Sequence, residues 1–274
     1  MGRGAMGRCI TVTSGKGGVG KTTTTANLGM ALAMNGKSVC LIDADIGLRN
    51  LDIVLGLENR IVYDLVDVIE GNCRVKQALI RDKHFQNLSL IPAAQTRDKD
   101  AVSPEQMAEL CQKLSKDFDF VVIDSPAGIE QGFRNAIAGA DEVLVVTTPE
   151  VSAVRDADRI IGLVEAAELP QPRLILNRLN PALVQRGEMM TTEDVQDILA
   201  IELVGIVPED STIVMASNRG EPAALSDASR AGRAYREIAQ RLLGEEIPIV
   251  IPVVNDGFLT RMMNAFRPRQ RVAS

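Results

Sequence analysis

The sequence predicts an α/β fold of three layers, a mostly parallel central sheet flanked by helices. Three observations predict it. The short apolar runs are continuous rather than alternating, as strands buried on both faces are. They alternate with longer amphipathic stretches, which argues for successive βαβ units. A glycine-rich loop joins the first run to the first amphipathic stretch, and ligands in such folds bind beyond the carboxyl ends of the strands.

In chain order the predicted strands are Cys9–Thr13, Ser38–Asp43, Leu88–Pro92, Phe120–Asp124, Glu142–Thr147, Arg173–Asn177 and Leu203–Val207. The predicted helices are Lys21–Asn35, Pro104–Lys116, Ile129–Ala138, Ser152–Glu168, Thr191–Leu199 and Ala228–Leu243. Gly36 ends the first helix, and Ser103-Pro104-Glu105 starts the second with proline at its first position. In the fourth, Val154, Ala157, Ile161 and Val164 form the core face. Residues 1–244 read as one domain and 245–256, with two prolines among β-branched residues, as an extended linker. Residues 257–274 read as a terminal helix and tail.

Aromatic residues make up 3% of the 274 and tryptophan is absent, so the core must be aliphatic. The net charge of −6 argues against a constitutive nucleic-acid binder. From Gly257 on, Arg261, Arg267, Arg269 and Arg271 stand with no acid, so a +4 tail follows a body at −10, a pattern suited to an anionic surface. Cys9, Cys40, Cys73 and Cys111 lack C-x-x-C or zinc spacing and read as reduced thiols, and His84 reads as a surface residue. No signal peptide or spanning stretch is visible, and Met6 breaks the myristoylation pattern that Gly2 begins, so a cytoplasmic protein with only peripheral membrane contact is expected.

Gly15-Lys16-Gly17-Gly18-Val19-Gly20-Lys21-Thr22, followed by Thr23, matches G-x-x-x-x-G-K-[ST] in the required strand–loop–helix setting. Glycines let backbone amides converge on phosphates, and the dipole of the helix from Lys21 points at the same anions. Lys21 supplies charge to the β- and γ-phosphates and Thr22 a hydroxyl to Mg²⁺. This makes the expected fold that of a P-loop NTPase. Asp43, Asp45 and Asp124 project from the carboxyl edge. Asp124, after four hydrophobic residues, fits the Walker B carboxylate that holds Mg²⁺ through water rather than an ordinary acidic strand end. Asn177-Arg178-Leu179-Asn180 lacks the aspartate of a guanine-reading Asn-Lys-x-Asp. The Asn177 amide suits the adenine edge, and the alternative is a strand-ending asparagine.

The second lysine, Lys16, makes the loop K-G-G-V-G-K-T-T, which resembles the deviant Walker A (MinD/ParA) family of P-loop ATPases. The resemblance runs from about Arg8 to Leu243 and includes the tail, as family tails in its septum-placing branch end in such a helix. It implies ATP and Mg²⁺ as cofactors and an ATP-dependent homodimer in which Lys16 reaches the partner's nucleotide. Asp43-Ala44-Asp45 through Asp52 resembles the first switch segment, which implies that Asp45 orients the attacking water with Mg²⁺ support from Asp43 and that Asn50 lies near the interface. Asp124-Ser125-Pro126-Ala127-Gly128 resembles the second switch, with Gly128 either near the γ-phosphate or a plain turn. The resemblance also puts Glu150 at the dimer interface, and Asn177 with Pro208, Glu209 and Asp210 around the base. The helix after Glu150 becomes a partner surface.

On a helical wheel Phe258, Leu259, Met262, Met263 and Phe266 fall within roughly 140°, opposite Thr260, Arg261, Asn264 and Arg267. This is the pattern of an interfacial membrane helix, and the alternative is a terminal helix docked on the body. One short copy binds weakly and two in a dimer bind better. The expected function is ATP hydrolysis coupled to dimerisation and reversible attachment to the inner face of the cell membrane. The resemblance adds septum placement through a MinC-like division inhibitor and a MinE-like activator. A flagellar-number regulator or a ParA-type DNA partition ATPase is the alternative.

Overall fold

A computed structural model describes residues 6–254, so every membrane-tail residue from Phe258 to Arg267 lies outside the described residues. The sheet holds β1 (Arg8–Thr13), β2 (Val39–Asp43), β3 (Ile80–Arg81), β4 (Leu88–Ile91), β5 (Phe120–Asp124), β6 (Glu142–Thr147), β7 (Arg173–Leu179) and β8 (Leu203–Pro208). Their order is β3-β4-β2-β5-β1-β6-β7-β8, and every pairing is parallel except β3 with β4. All seven expected strands are present. The eighth, β3, is a two-residue edge strand, too short to show a period in sequence.

The helices are α1 (Lys21–Met34), α2 (Leu51–Leu55), α3 (Leu65–Ile69), α4 (Val75–Ala78), α5 (Pro104–Leu114), α6 (Gln131–Ile137), α7 (Val151–Ala166), α8 (Pro181–Gln185), α9 (Thr192–Leu199), α10 (Thr212–Asn218) and α11 (Arg230–Leu242). The six expected helices correspond to α1, α5, α6, α7, α9 and α11. The unexpected ones have seven residues or fewer, a span in which a 3.6-residue period is barely sampled.

Alternate strand residues enter opposite cores. Ile10, Val12, Leu41 and Val122 pack with α1, α2 and α11 on one face. Cys9, Cys40, Val121 and Ile123 pack with α3, α5 and α6 on the other, and Val145, Leu174 and Leu176 continue that layer with α7 and α9. Every one of these side chains is buried, which explains runs without polar alternation. The predicted core face of α7 is buried as expected. Ser103 caps α5 in a capping box with Gln106, and Gly36, at φ 76°, follows α1.

The linker forms no strand through residue 254. Arg241 holds it instead, donating from Nε to Ile247 O at 2.8 Å and from its second terminal nitrogen to Pro248 O at 2.9 Å. The other terminal nitrogen reaches Val204 O in β8 at 3.1 Å. Ile249 packs against the α7–α9 core, so the linker passes from α11 around the β8 edge to the opposite face. Among the described residues no helix is long and apolar enough to cross a membrane.

Candidate active site

Strand order puts β1 in the middle, with β5 on one side and β6 on the other. The loop leaving β1 therefore opens at the point where chain connections diverge, the usual ligand crevice of an open α/β sheet. The loop is built by glycines for two separate reasons. Gly20 has φ 101°, and a Cβ there would lie 2.3 Å from Asn177 Nδ2; a Cβ on Gly15 would lie 2.1 Å from the Asp156 carbonyl of α7. At these two positions the backbone has no room for a side chain, because α7 closes on Gly15 and β7 on Gly20. Ser14, buried, donates from its hydroxyl to Lys16 O at 2.8 Å and accepts at its carbonyl from Gly128 N at 3.3 Å, tying the phosphate loop to the predicted second switch.

Lys21 is buried at the start of α1, while Thr22 and Thr23 are half-buried. Asp124 is fully buried beside them. It accepts from the Thr22 hydroxyl, and Thr25 Oγ1 donates to its Oδ1 at 3.3 Å. Parallel register places Asp43 directly beside Asp124. Burial, and then the Asp43 charge, push the Asp124 carboxyl up to about 8, against the pull of Thr22 and Lys21. Burial pushes Asp43 up to about 6, opposed by three backbone amides. Those amides define its duty. Oδ1 accepts from Asp45 N at 3.0 Å, and Oδ2 accepts from Asn50 N and Leu51 N, each at 3.1 Å. Both Asp43 oxygens thus shape the loop carrying Asp45, which leaves Asp124 and Thr22 as the hard oxygen donors at the phosphate loop. That donor set suits Mg²⁺, which takes one or two carboxylates plus phosphate oxygens.

Lys16 is exposed on the loop. Its Nζ reaches Ser152 Oγ at 3.3 Å and Glu150 Oε2 at 4.0 Å, at the start of α7, and Glu150 is exposed. On the other side of α1 a cleft of about 420 Å³ is lined by Asn177, Pro208, Glu209 and Asp210, the four residues expected around a base, together with Gly20 and Thr23 of the phosphate loop. Arg178 and Tyr235 also line it and were not expected there. Tyr235 is buried and its hydroxyl lies 3.2 Å from Thr24 Oγ1. Two of the expected residues have other work as well. Asn177 Nδ2 donates to Val19 O at 2.8 Å while its Oδ1 accepts from Arg178 N at 3.0 Å. Asp210 accepts from Thr212 N at the start of α10 and from Ser229 Oγ and Ala231 N at the start of α11, all within 3.0 Å. Burial pushes its carboxyl up, but these hydrogen bonds outweigh that and hold it at about 2. Thr25, Ser152 and Asp156 also belong to the site. Only their spacing from the loop, invisible before folding, could have singled them out.

The AAA domain family matches residues 7–173. A septum site-determining protein MinD of Bacillus subtilis (strain 168) is 56% identical over 96% of this chain and 100% of its own length. The chain belongs to the septum site-determining MinD family. A solved MinC:MinD cell division complex of Aquifex aeolicus is similar to it at 48% identity and TM-score 0.84, over 89% of this chain and 98% of that one. A MinD of Pyrococcus horikoshii, solved with Mg-ADP, is 30% identical at TM-score 0.79, over 88% of this chain and 100% of that one. As a MinD-family chain it shares the overall fold of these relatives, here an eight-stranded, mostly parallel sheet among the described residues.

Proposed function

We propose that this chain is a Mg²⁺-dependent ATPase that dimerises around ATP and attaches reversibly to the inner face of the membrane. It thereby recruits a MinC-like division inhibitor to position the septum, and a MinE-like activator triggers its release. The observation that carries this reading is the convergence of Lys21, Thr22 and Asp124 at the glycine loop in a chain 56% identical to a septum site-determining protein along that protein's whole length. The relative solved as a MinC:MinD complex supports the inhibitor as partner, and the relative solved with Mg-ADP supports the cofactor.

In this reading residues 1–244 are the ATPase body. The loop amides of residues 15–20 and Lys21 hold the β- and γ-phosphates, and Thr22 and Asp124 hold Mg²⁺ with Asp43 supporting from the adjacent strand. Mg²⁺ held there would supply positive charge against the negative charge that builds up in γ-phosphoryl transfer. Asp45 orients the attacking water for in-line displacement, where positioning and electrostatics supply most of the acceleration. Lys16 exchanges its contacts at the α7 start for the partner's phosphates, which makes dimerisation depend on ATP. Pro208, Glu209, Asp210 and Asn177 frame the base, and Glu150 meets the second copy. The tail of residues 257–274 supplies a weak anchor that two copies make effective.

The test is co-sedimentation with anionic liposomes in ATP, ADP or neither, using the full chain and a chain ending before Gly257. Pelleting that requires both ATP and the tail supports the reading. A full chain that stays in solution in every state sinks it, and ATP-dependent DNA binding is then the next measurement.

A further inference from the structure

The loop carrying Asp45 contains a strained residue that the phosphate chemistry leaves unexplained. Arg49 has φ 30°, a left-handed value that residues other than glycine adopt only when their surroundings hold them there. Its guanidinium turns inward, and Nε lies 3.0 Å from Oδ2 of Asp52, a carboxylate with no solvent exposure at the start of α2. The pair is held by charge rather than by a well-aligned hydrogen bond. A buried carboxylate paired with a cation three residues away makes that cation's position a condition of folding the segment.

The same residue closes the turn on Asp45. Arg49 N donates to Asp45 O at 3.2 Å and Leu48 N to the same oxygen at 3.1 Å. Asp43 grips the loop from below through Asp45 N, Asn50 N and Leu51 N. Asp45 is therefore fixed at its amide by Asp43 and at its carbonyl by Arg49. The Arg49 grip depends on Asp52 drawing the guanidinium under the loop.

We propose that the Arg49–Asp52 ion pair is a latch that positions Asp45 for hydrolysis, making Arg49 and Asp52 positioning residues rather than nucleotide ligands. The inference rests on the ATPase reading above. It predicts a split between binding and turnover: breaking the latch lets the Asp45 turn relax while the phosphate loop, held by Asn177, Ser14 and α7, stays in place.

The test uses the full chain and the pair Arg49→Met and Asp52→Asn made together, which removes both charges and leaves no uncompensated buried ion. Turnover should fall about tenfold, roughly 1.4 kcal/mol in barrier, with KM for ATP within twofold of wild type. Arg49→Lys, which keeps a cation on Asp52, should recover part of the loss. Adding the pair to Asp45→Ala should cost no further turnover, because the latch acts through Asp45. A double variant that melts lower but keeps wild-type turnover per folded site overturns the latch and leaves the ATPase reading standing. A wild type that binds ATP and hydrolyses none overturns both.

Discussion

Replacing Asn177 by alanine asks whether the end of β7 holds the phosphate loop. Asn177 is 5% exposed, and its amide joins Val19 O at 2.8 Å to Arg178 N at 3.0 Å. Truncation strips a partner from a buried carbonyl and from a partly buried amide. Each loss costs about 1–3 kcal/mol where water cannot substitute. The adjoining cleft of about 420 Å³ lets water reach one of the two, so the net cost is about 2 kcal/mol. In a chain of this size that lowers Tm by about 4–8 °C. Asn177→Asp should be worse, because a carboxylate oxygen then faces the Val19 carbonyl, acceptor against acceptor in a buried site. The assay is thermal denaturation without nucleotide, followed by titration with ATP and with GTP. A strut for the loop weakens both nucleotides by similar factors and lowers Tm. An unchanged Tm with selective loss of ATP would refute the reasoning and assign Asn177 to the base alone.

Lys21→Ala removes the buried cation at the start of α1 and should abolish ATP binding measured by calorimetry while the fold, read by circular dichroism, persists. Without Mg²⁺ and nucleotide, Asp124 held at about 8 and Asp43 at about 6 bind protons that the unfolded chain releases near 4. That stability is present at low pH and lost as pH rises from about 4 to about 8, so Tm in EDTA should fall between pH 6 and pH 8, and Asp124→Asn should flatten the slope. Arg241→Ala frees Ile247, Pro248 and Val204 carbonyls, and the linker should then be cut faster by protease with the body intact, as followed by mass spectrometry. Equal cutting rates would show that the clamp does not hold the linker.

The sheet was legible because strands buried on both faces leave continuous apolar runs, and β1, β2 and β5 each end in the loop or the carboxylate that the chemistry needs. The phosphate loop was legible for a related reason: a spacing of glycines and one lysine is local, and local geometry is what sequence displays. What the sequence did not display is shared work. Asp43 reads as a metal residue, yet its oxygens are occupied by three amides of the following loop. Asp210 reads as a base contact, yet its carboxylate caps the approach to α11. Both duties depend on which amides the fold turns inward, and a sequence carries no direction for a backbone N–H. The Arg49–Asp52 pair was likewise unreadable, because an i,i+3 charge pair ordinarily lies on a solvated surface, and only the burial of Asp52 changes its meaning.

The adjacency of β2 and β5 sets Asp124 directly beside the strand end from which the Asp45 loop hangs. Asp43 and Asp124 end neighbouring strands in register, and both are buried, with Lys21 the buried lysine nearby. Two carboxylates so placed resist sharing negative charge, which is why burial and mutual repulsion raise Asp124 so far. In the proposed ATPase, Thr22 and Asp124 would hold a divalent cation, whose charge would take the place of a proton on Asp124 and favour the charged form of Asp43 next door. A charged Asp43 accepts more strongly from the amides of Asp45, Asn50 and Leu51 than a protonated one does. In that reading, binding at one strand end would tighten the loop hung from its neighbour, the loop that carries Asp45.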